Sequence, residues 1–208
     1  MKRRINVALS CLAGFAVAIF SCSESSHLPV MIDGAIERNE WADANATVVD
    51  QSNTLYSKTD QSYYYLAIAS DLQKPIYVDL FIVIKDTVYN FHASSQLGDR
   101  VLTDTLWTDA SPSTLWGRNK DWIANTVKFD RAKIRELNQN NFEGDVYLES
   151  FRSYDGFEFQ FDKQTWDLRH SKLRIEIKPM TESNSSSKVT YPSNSVRMNA
   201  GNWHVLFD

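Results

Sequence analysis

Phe157-Glu158-Phe159-Gln160-Phe161-Asp162 alternates aromatic and polar side chains without a break, which is the period of a strand buried on one face. Residues 173–178 (LRIEIK) alternate as cleanly. Working outward from these two stretches, residues 63–70 (YYYLAIAS), 76–85 (IYVDLFIVIK), 88–93 (VYNFHA) and 122–129 (WIANTVKF) are rich in aromatic and β-branched side chains and read as strands. Lys85-Asp86-Thr87 turns one of them into the next. Tyr154-Asp155-Gly156 gives a second hairpin turn, between a strand at 146–152 (VYLESFR) and the Phe157 strand. Residues 203–207 (WHVLF) form a closing strand. Helical signal is confined to two turns over 130–138 and one turn over 162–168 with Asp162 as its cap. Eight to ten short strands without alternating helices predict an all-β fold. We expect a single antiparallel β-sandwich of the jelly-roll or immunoglobulin-like type with at most one or two short helices.

Composition bounds the function classes. The chain has 208 residues, 43% hydrophobic, 12% aromatic and 23% charged, enough apolar material for a core and too much for a disordered chain. A formal charge of −4 argues against nucleic acid as the main partner. Two cysteines exclude a disulfide framework and a four-thiolate zinc site.

Lys2, Arg3 and Arg4 precede an uncharged stretch over 5–20, followed by Ser21-Cys22, the layout of a secretory leader. Ala18-Ile19-Phe20-Ser21-Cys22 resembles the lipobox of bacterial lipoproteins, in which the cysteine becomes the acylated N-terminus. The resemblance implies a signal peptide over 1–21, lipidation (palmitate-type acyl chains) at Cys22, a polar tether over 22–29 and a soluble domain over 30–208. Loss of the leader's three basic residues leaves 19 basic and 26 acidic side chains, net −7. Two or three acyl chains suffice for stable membrane attachment. The alternative is an ordinary cleaved leader that leaves one free thiol. No Pro- or Gly-rich linker or internal repeat divides the domain, and Thr181 to Lys188 (TESNSSSK) reads as a polar surface loop.

At Met31 the chain reads Met31-Ile32-Asp33-Gly34-Ala35-Ile36-Glu37-Arg38-Asn39-Glu40-Trp41-Ala42-Asp43-Ala44, with Leu55-Tyr56 and a Tyr-rich run from Tyr63 following. This resembles the opening of family 9 carbohydrate-binding modules and their DOMON-like relatives. The resemblance implies a sandwich that holds a sugar between two aromatic rings near its edge, helped by polar and charged groups and often accompanied by calcium. Asp33-Gly34 is expected to make a tight turn, with Trp41 covering an open end of the sandwich as a structural residue. Haem-binding DOMON relatives use a Met with a His or Lys. Met31 and Met198 with His92 or Lys85 carry no mark of such a pair.

Residues 96–121 form the longest irregular stretch and hold Arg100, Trp107, Asp109, Trp116, Arg118 and Asp121, with Trp122 opening the next strand. Three of the six tryptophans lie within sixteen positions there, and long loops in compact domains are enriched in function. The candidate ligand-binding set is therefore Trp107, Trp116 and Trp122 for stacking, with Arg100, Arg118, Asp121 and His92 for hydrogen bonds. Packing of these indoles over the core is the competing reading. Of the four histidines only His92, beside the long loop, is a site candidate; His27, His170 and His204 sit in the tether, a polar turn and a strand.

No nucleophile elbow, zinc-protease helix, phosphate loop or dinucleotide fingerprint occurs. Glu149, Glu158 and Glu176, on strands with apolar neighbours, read as solvated outer-face residues. No spacing locates a metal site, and calcium stays possible without an address. These readings converge on a non-enzymatic, lipid-anchored glycan-binding protein of the cell envelope, at the outer membrane or cell surface. The alternative is a lipoprotein that docks on an envelope protein through its aromatic loop. A glycoside hydrolase, which needs a carboxylate pair across a cleft, is third.

Overall fold

The computed structural model describes residues 30–36, 38–70, 75–108, 121–180, 188–197 and 199–207. Cys22, the tether, Trp116, Arg118 and most of the 181–188 loop lie outside them. Two antiparallel sheets make up the domain. The first contains β1 (Asn45–Val48), β2 (Asn53–Thr59), β3 (Tyr63–Ser70), β8 (Trp122–Ala124) and β9 (Gly156–Asp162), in the order β1-β2-β3-β9-β8. The second contains β4 (Ile76–Ile84), β5 (Thr87–Ala93), β6 (Leu97–Thr103), β7 (Leu106–Trp107), β10 (Lys172–Pro179) and β11 (Val189–Tyr191), in the order β11-β10-β4-β5-β6-β7. A two-residue strand, β12 (His204–Val205), pairs with the start of β10.

Alternation decides which side chains meet between the sheets. From β9, Phe157, Phe159 and Phe161 point inward, in register with Ile68, Leu66 and Tyr64 of β3. From β10, Leu173, Ile175 and Ile177 do the same beside Ile82, Leu80 and Val78 of β4. Phe91 of β5 sits among them, edge-on to Phe161 at 4.9 Å between ring centroids. The tight β4–β5 turn falls at Lys85 and Asp86 as expected, with Lys85 at φ 56°.

The all-β sandwich expectation holds, with local corrections. Residues 146–152 do not form a strand. Asp145 caps a short helix instead, accepting hydrogen bonds from the N–H groups of Tyr147 and Leu148, both at 2.9 Å. Tyr154-Asp155-Gly156 is therefore no hairpin turn. Gly156 begins β9, where a Cβ would stand 2.0 Å from the Ile68 carbonyl oxygen, so a bare backbone is what lets β9 close on β3. Three short α-helices occur among the described residues, one more than expected: α1 (Arg38–Trp41), α2 (Arg131–Gln139) and α3 (Val146–Glu149). Asp162 caps a single turn, as expected. Regular pairing of β8 stops after Ala124. The stretch read as irregular from residue 96 contains β6 and β7, because its Leu, Val and Trp positions continue the second sheet.

Candidate functional site

Each sheet presents an outer face with one glutamate at its centre, and neither glutamate is solvated as the sequence suggested. Both are 0% exposed. On the first sheet, Glu158 is buried by the opening segment. Its Oε2 accepts the backbone N–H groups of Asp33 at 3.0 Å and Gly34 at 2.8 Å, and its Oε1 accepts the Trp41 indole N–H at 3.0 Å. Gly34 adopts φ 92°, and a Cβ there would run into Tyr154 and Asn125, so both conformation and space require glycine. Trp41 packs with Tyr65 and Ala67, so it covers the outer face of the first sheet rather than an open end of the sandwich. Lys58 pins α1 from below, donating to the Glu40 carbonyl and to Asp43. Burial raises the Glu158 pKa to about 7 despite its three N–H donors, since no cation faces it in these contacts.

The second outer face is built differently. The period of two places Arg174, Glu176 and Lys178 of β10 on it. Tyr77, Asp79 and Phe81 of β4, Asn90 and His92 of β5, and Arg100 of β6 stand in register beside them. The chain returns over this face after β11. There Ser195 takes a hydrogen bond from Arg174 on its carbonyl, and Arg197 grips Glu176 with both Nε and Nη2. Arg174 Nη1, Lys178 Nζ at 3.1 Å and Lys188 Nζ at 2.9 Å complete the set, so four cations share one carboxylate. Burial alone would push the carboxyl up, but Arg197, Lys188, Arg174 and Lys178 together hold it well below the usual range. Asp79 is held down in the same way against its own burial, by His92 and Asn90. His92 Nδ1 is 3.0 Å from Asp79 Oδ1, Asn90 Nδ2 donates to the same oxygen at 3.1 Å, and His92 Nε2 is 3.0 Å from the Ser94 hydroxyl.

Aromatic rings line this charged ground. Arg174 and Arg197 stand 5.3 and 5.2 Å from the Phe81 ring centroid, and Lys178 stands 5.3 Å from that of Tyr77. Trp107 reaches across two intervening strands to within 5.8 Å of the Phe81 ring, and His92 lies 5.4 Å from Tyr77.

The structure therefore brings together three of the seven candidate residues: His92, Arg100 and Trp107. Arg100 is exposed, donates to Asn90 at 3.4 Å, and stands between Trp107 and the buried acids. Trp122 is a correction. It is 2% exposed in the core, edge-on to Phe91 at 5.2 Å, with its indole N–H directed at Asp99, and has no free face for a ligand. Asp121 precedes β8 in the other sheet, where its carbonyl accepts the Asp162 N–H at 2.9 Å. Trp116 and Arg118 fall outside the described residues.

Sequence reasoning missed Asp79 and the cations around Glu176. The signal was present in Arg174-Ile175-Glu176-Ile177-Lys178, where three alternating charges must share one face of a strand, and in Asp79, the lone acid of a long apolar run. Among the described residues no three His, Cys, Asp or Glu side chains gather as metal ligands would, and no helix is long and apolar enough to cross a membrane. Compared with known protein families, curated proteins and solved structures, the chain shows no match.

Proposed function

We propose that the protein is a membrane-anchored lipoprotein whose sandwich binds a carbohydrate without catalysis, through the outer face of its second sheet. The observation that carries this reading is the grouping of a part-exposed indole, Trp107, with Tyr77, His92 and the exposed Arg100 on one sheet face. Sugars need both elements, an aromatic surface for their C–H faces and fixed donors and acceptors for their hydroxyls. The basic, apolar and Ser-Cys order of the first 22 residues supports the anchor, and the Asp33-Gly34 and Trp41 motif supports the likeness to family 9 modules.

Two features favour binding over hydrolysis. Glu158 and Glu176 lie on the outer faces of opposite sheets, and packed sheets are themselves about 10 Å apart, too far for the two to flank one glycosidic bond. Asp79 and Glu176 are register neighbours, but both are held ionised, so neither stores the proton a leaving group needs.

A glycan array probed with the full chain in detergent tests the reading, with Trp107→Ala alongside. A hit lost in the variant is the expected result. A blank array with folded protein overturns the reading and points to a protein partner, sought by co-purification from solubilised membranes. Radiolabelled palmitate should enter the wild-type chain and not Cys22→Ser.

A further inference from the structure

We infer that the glycan bound on this face is an acidic one, carrying carboxylates or sulfates; the inference rests on the glycan-binding reading above. The strands of the face and the segment folded over it bring five cations, Arg100, Arg174, Lys178, Lys188 and Arg197, against two carboxylates, Asp79 and Glu176. This reverses the sign of a chain whose formal charge is −4.

The cradle holds more positive charge than its own acid can neutralise. Glu176 has two oxygens to divide among four cations, and Arg197 and Lys178 are held more firmly protonated by that contact. Like charges gathered this closely repel one another, and an incoming anion relieves the repulsion. The groups also have donors to spare. An ammonium carries three N–H bonds and a guanidinium five, more than Glu176 can accept. The side chains of Lys178, Lys188 and Arg197 are 24%, 28% and 42% exposed, so solvent reaches the outer side of the cradle while its inner side grips Glu176.

Shape selects a chain rather than a lone ion. Arg174, Phe81, Asn90 and Arg100 form one register row across four strands, roughly 14 Å from end to end. Arg174, Phe81 and Asn90 are buried, and the cations that reach solvent are Arg197, over the Phe81 ring at one end, and Arg100 at the other, with Trp107 offering a stacking surface beside them. A uronate unit needs this pairing: a ring face on an indole and a carboxylate on a guanidinium or ammonium.

The test measures binding by the full chain in detergent micelles to tetragalacturonate, to its carboxyl-reduced counterpart, to a heparin tetrasaccharide and to inorganic sulfate. Lys188→Gln and Arg100→Gln are compared with wild type, with folding checked by near-ultraviolet circular dichroism. The exposed position of Arg100 keeps that variant informative if Lys188→Gln unfolds. The expected result is at least about tenfold tighter binding of an acidic oligomer than of the reduced one, weakening with salt. Each variant should cut that discrimination by roughly tenfold. If acidic and reduced oligomers bind equally and the variants leave their ratio unchanged, the acidic inference falls while the glycan reading stands. Sulfate binding as tight as the oligomers also overturns it, in favour of a simple anion site. Silence from every oligomer with folded protein overturns both.

Discussion

Glu158 and Glu176 occupy equivalent places, each centred on an outer sheet face, flanked along the strand by inward apolar residues and closed off from solvent. Their surroundings are opposite. Glu158 meets two backbone N–H groups and an indole from one continuous segment, and burial lifts its pKa to about 7. Glu176 meets four cations from β10 and from the chain on either side of β11, and its carboxyl is driven far the other way. Three neutral donors on one carboxylate fasten a segment and add no charge of their own. A surplus of cations fastens a segment and leaves charge facing outward. The first arrangement is a clasp that seats the opening motif. The second is a clasp that leaves part-exposed cations at the surface.

The largest expected effect is on Glu176. Replacing it with Ala leaves Arg174 and its three companions without their counter-charge, and breaking a buried ion cluster from one side costs about 3–5 kcal/mol. Urea unfolding monitored by tryptophan fluorescence should show a corresponding fall in midpoint. A loss below about 1 kcal/mol would mean that water or another acid already serves these cations, and the contrast with Glu158 would collapse. Glu158→Ala should cost somewhat less, about 3 kcal/mol, since three N–H donors lose their acceptor at roughly 1 kcal/mol each. Proteolysis should then cut near residues 30–44 first, because that segment is what Glu158 holds.

The two carboxyls should also oppose each other in pH dependence. Glu158 titrates near 7 in the folded chain and near 4.5 unfolded. The folded state therefore binds the extra proton between those values, and stability present at pH 4.5 is lost as pH rises through 7. The fall from pH 5 to pH 8 should be on the order of 2–3 kcal/mol. Glu158→Gln should flatten it. For Glu176 the sign reverses: its folded pKa lies below 4.5, so its contribution is present above that value and is lost as pH drops further. Equal slopes from pH 5 to 8 in wild type and Glu158→Gln would remove Glu158 from this role.

How much of this could be read beforehand follows from which interactions are local. Alternation in residues 157–162 and 173–178 carried the sandwich, because a period of two states which face is apolar. The same alternation misplaced Glu158 and Glu176 in solvent, since it assigns a face and is silent about what later covers that face. Glu158 is covered by residues some 120 positions earlier in the chain, as its contact with Gly34 spans 124 positions. Residues 146–149 look strand-like by composition, yet Asp145 satisfies the first turn's N–H groups, and among the described residues no strand pairs with them. Trp107 and Trp122 shared a tryptophan-rich stretch, and only the assignment of each to its sheet separates the part-exposed indole from the core one.

The smallest effect is the most discriminating. Trp41→Phe keeps an aromatic ring over Tyr65 and Ala67 but removes the indole N–H that Glu158 Oε1 accepts. Losing one hydrogen bond to a charged group costs about 1–2 kcal/mol, but only while the carboxyl is ionised. The expected loss is therefore full at pH 8.5 and small at pH 5, and the Glu158 pKa should move further above 7, because one of the donors that opposes burial is gone. A ring that merely packs would instead lose the same amount at both pH values. Paired urea curves at the two pH values separate these outcomes. A loss independent of pH would make Trp41 a lid over Glu158 and leave Asp33 and Gly34 as its only partners in the clasp.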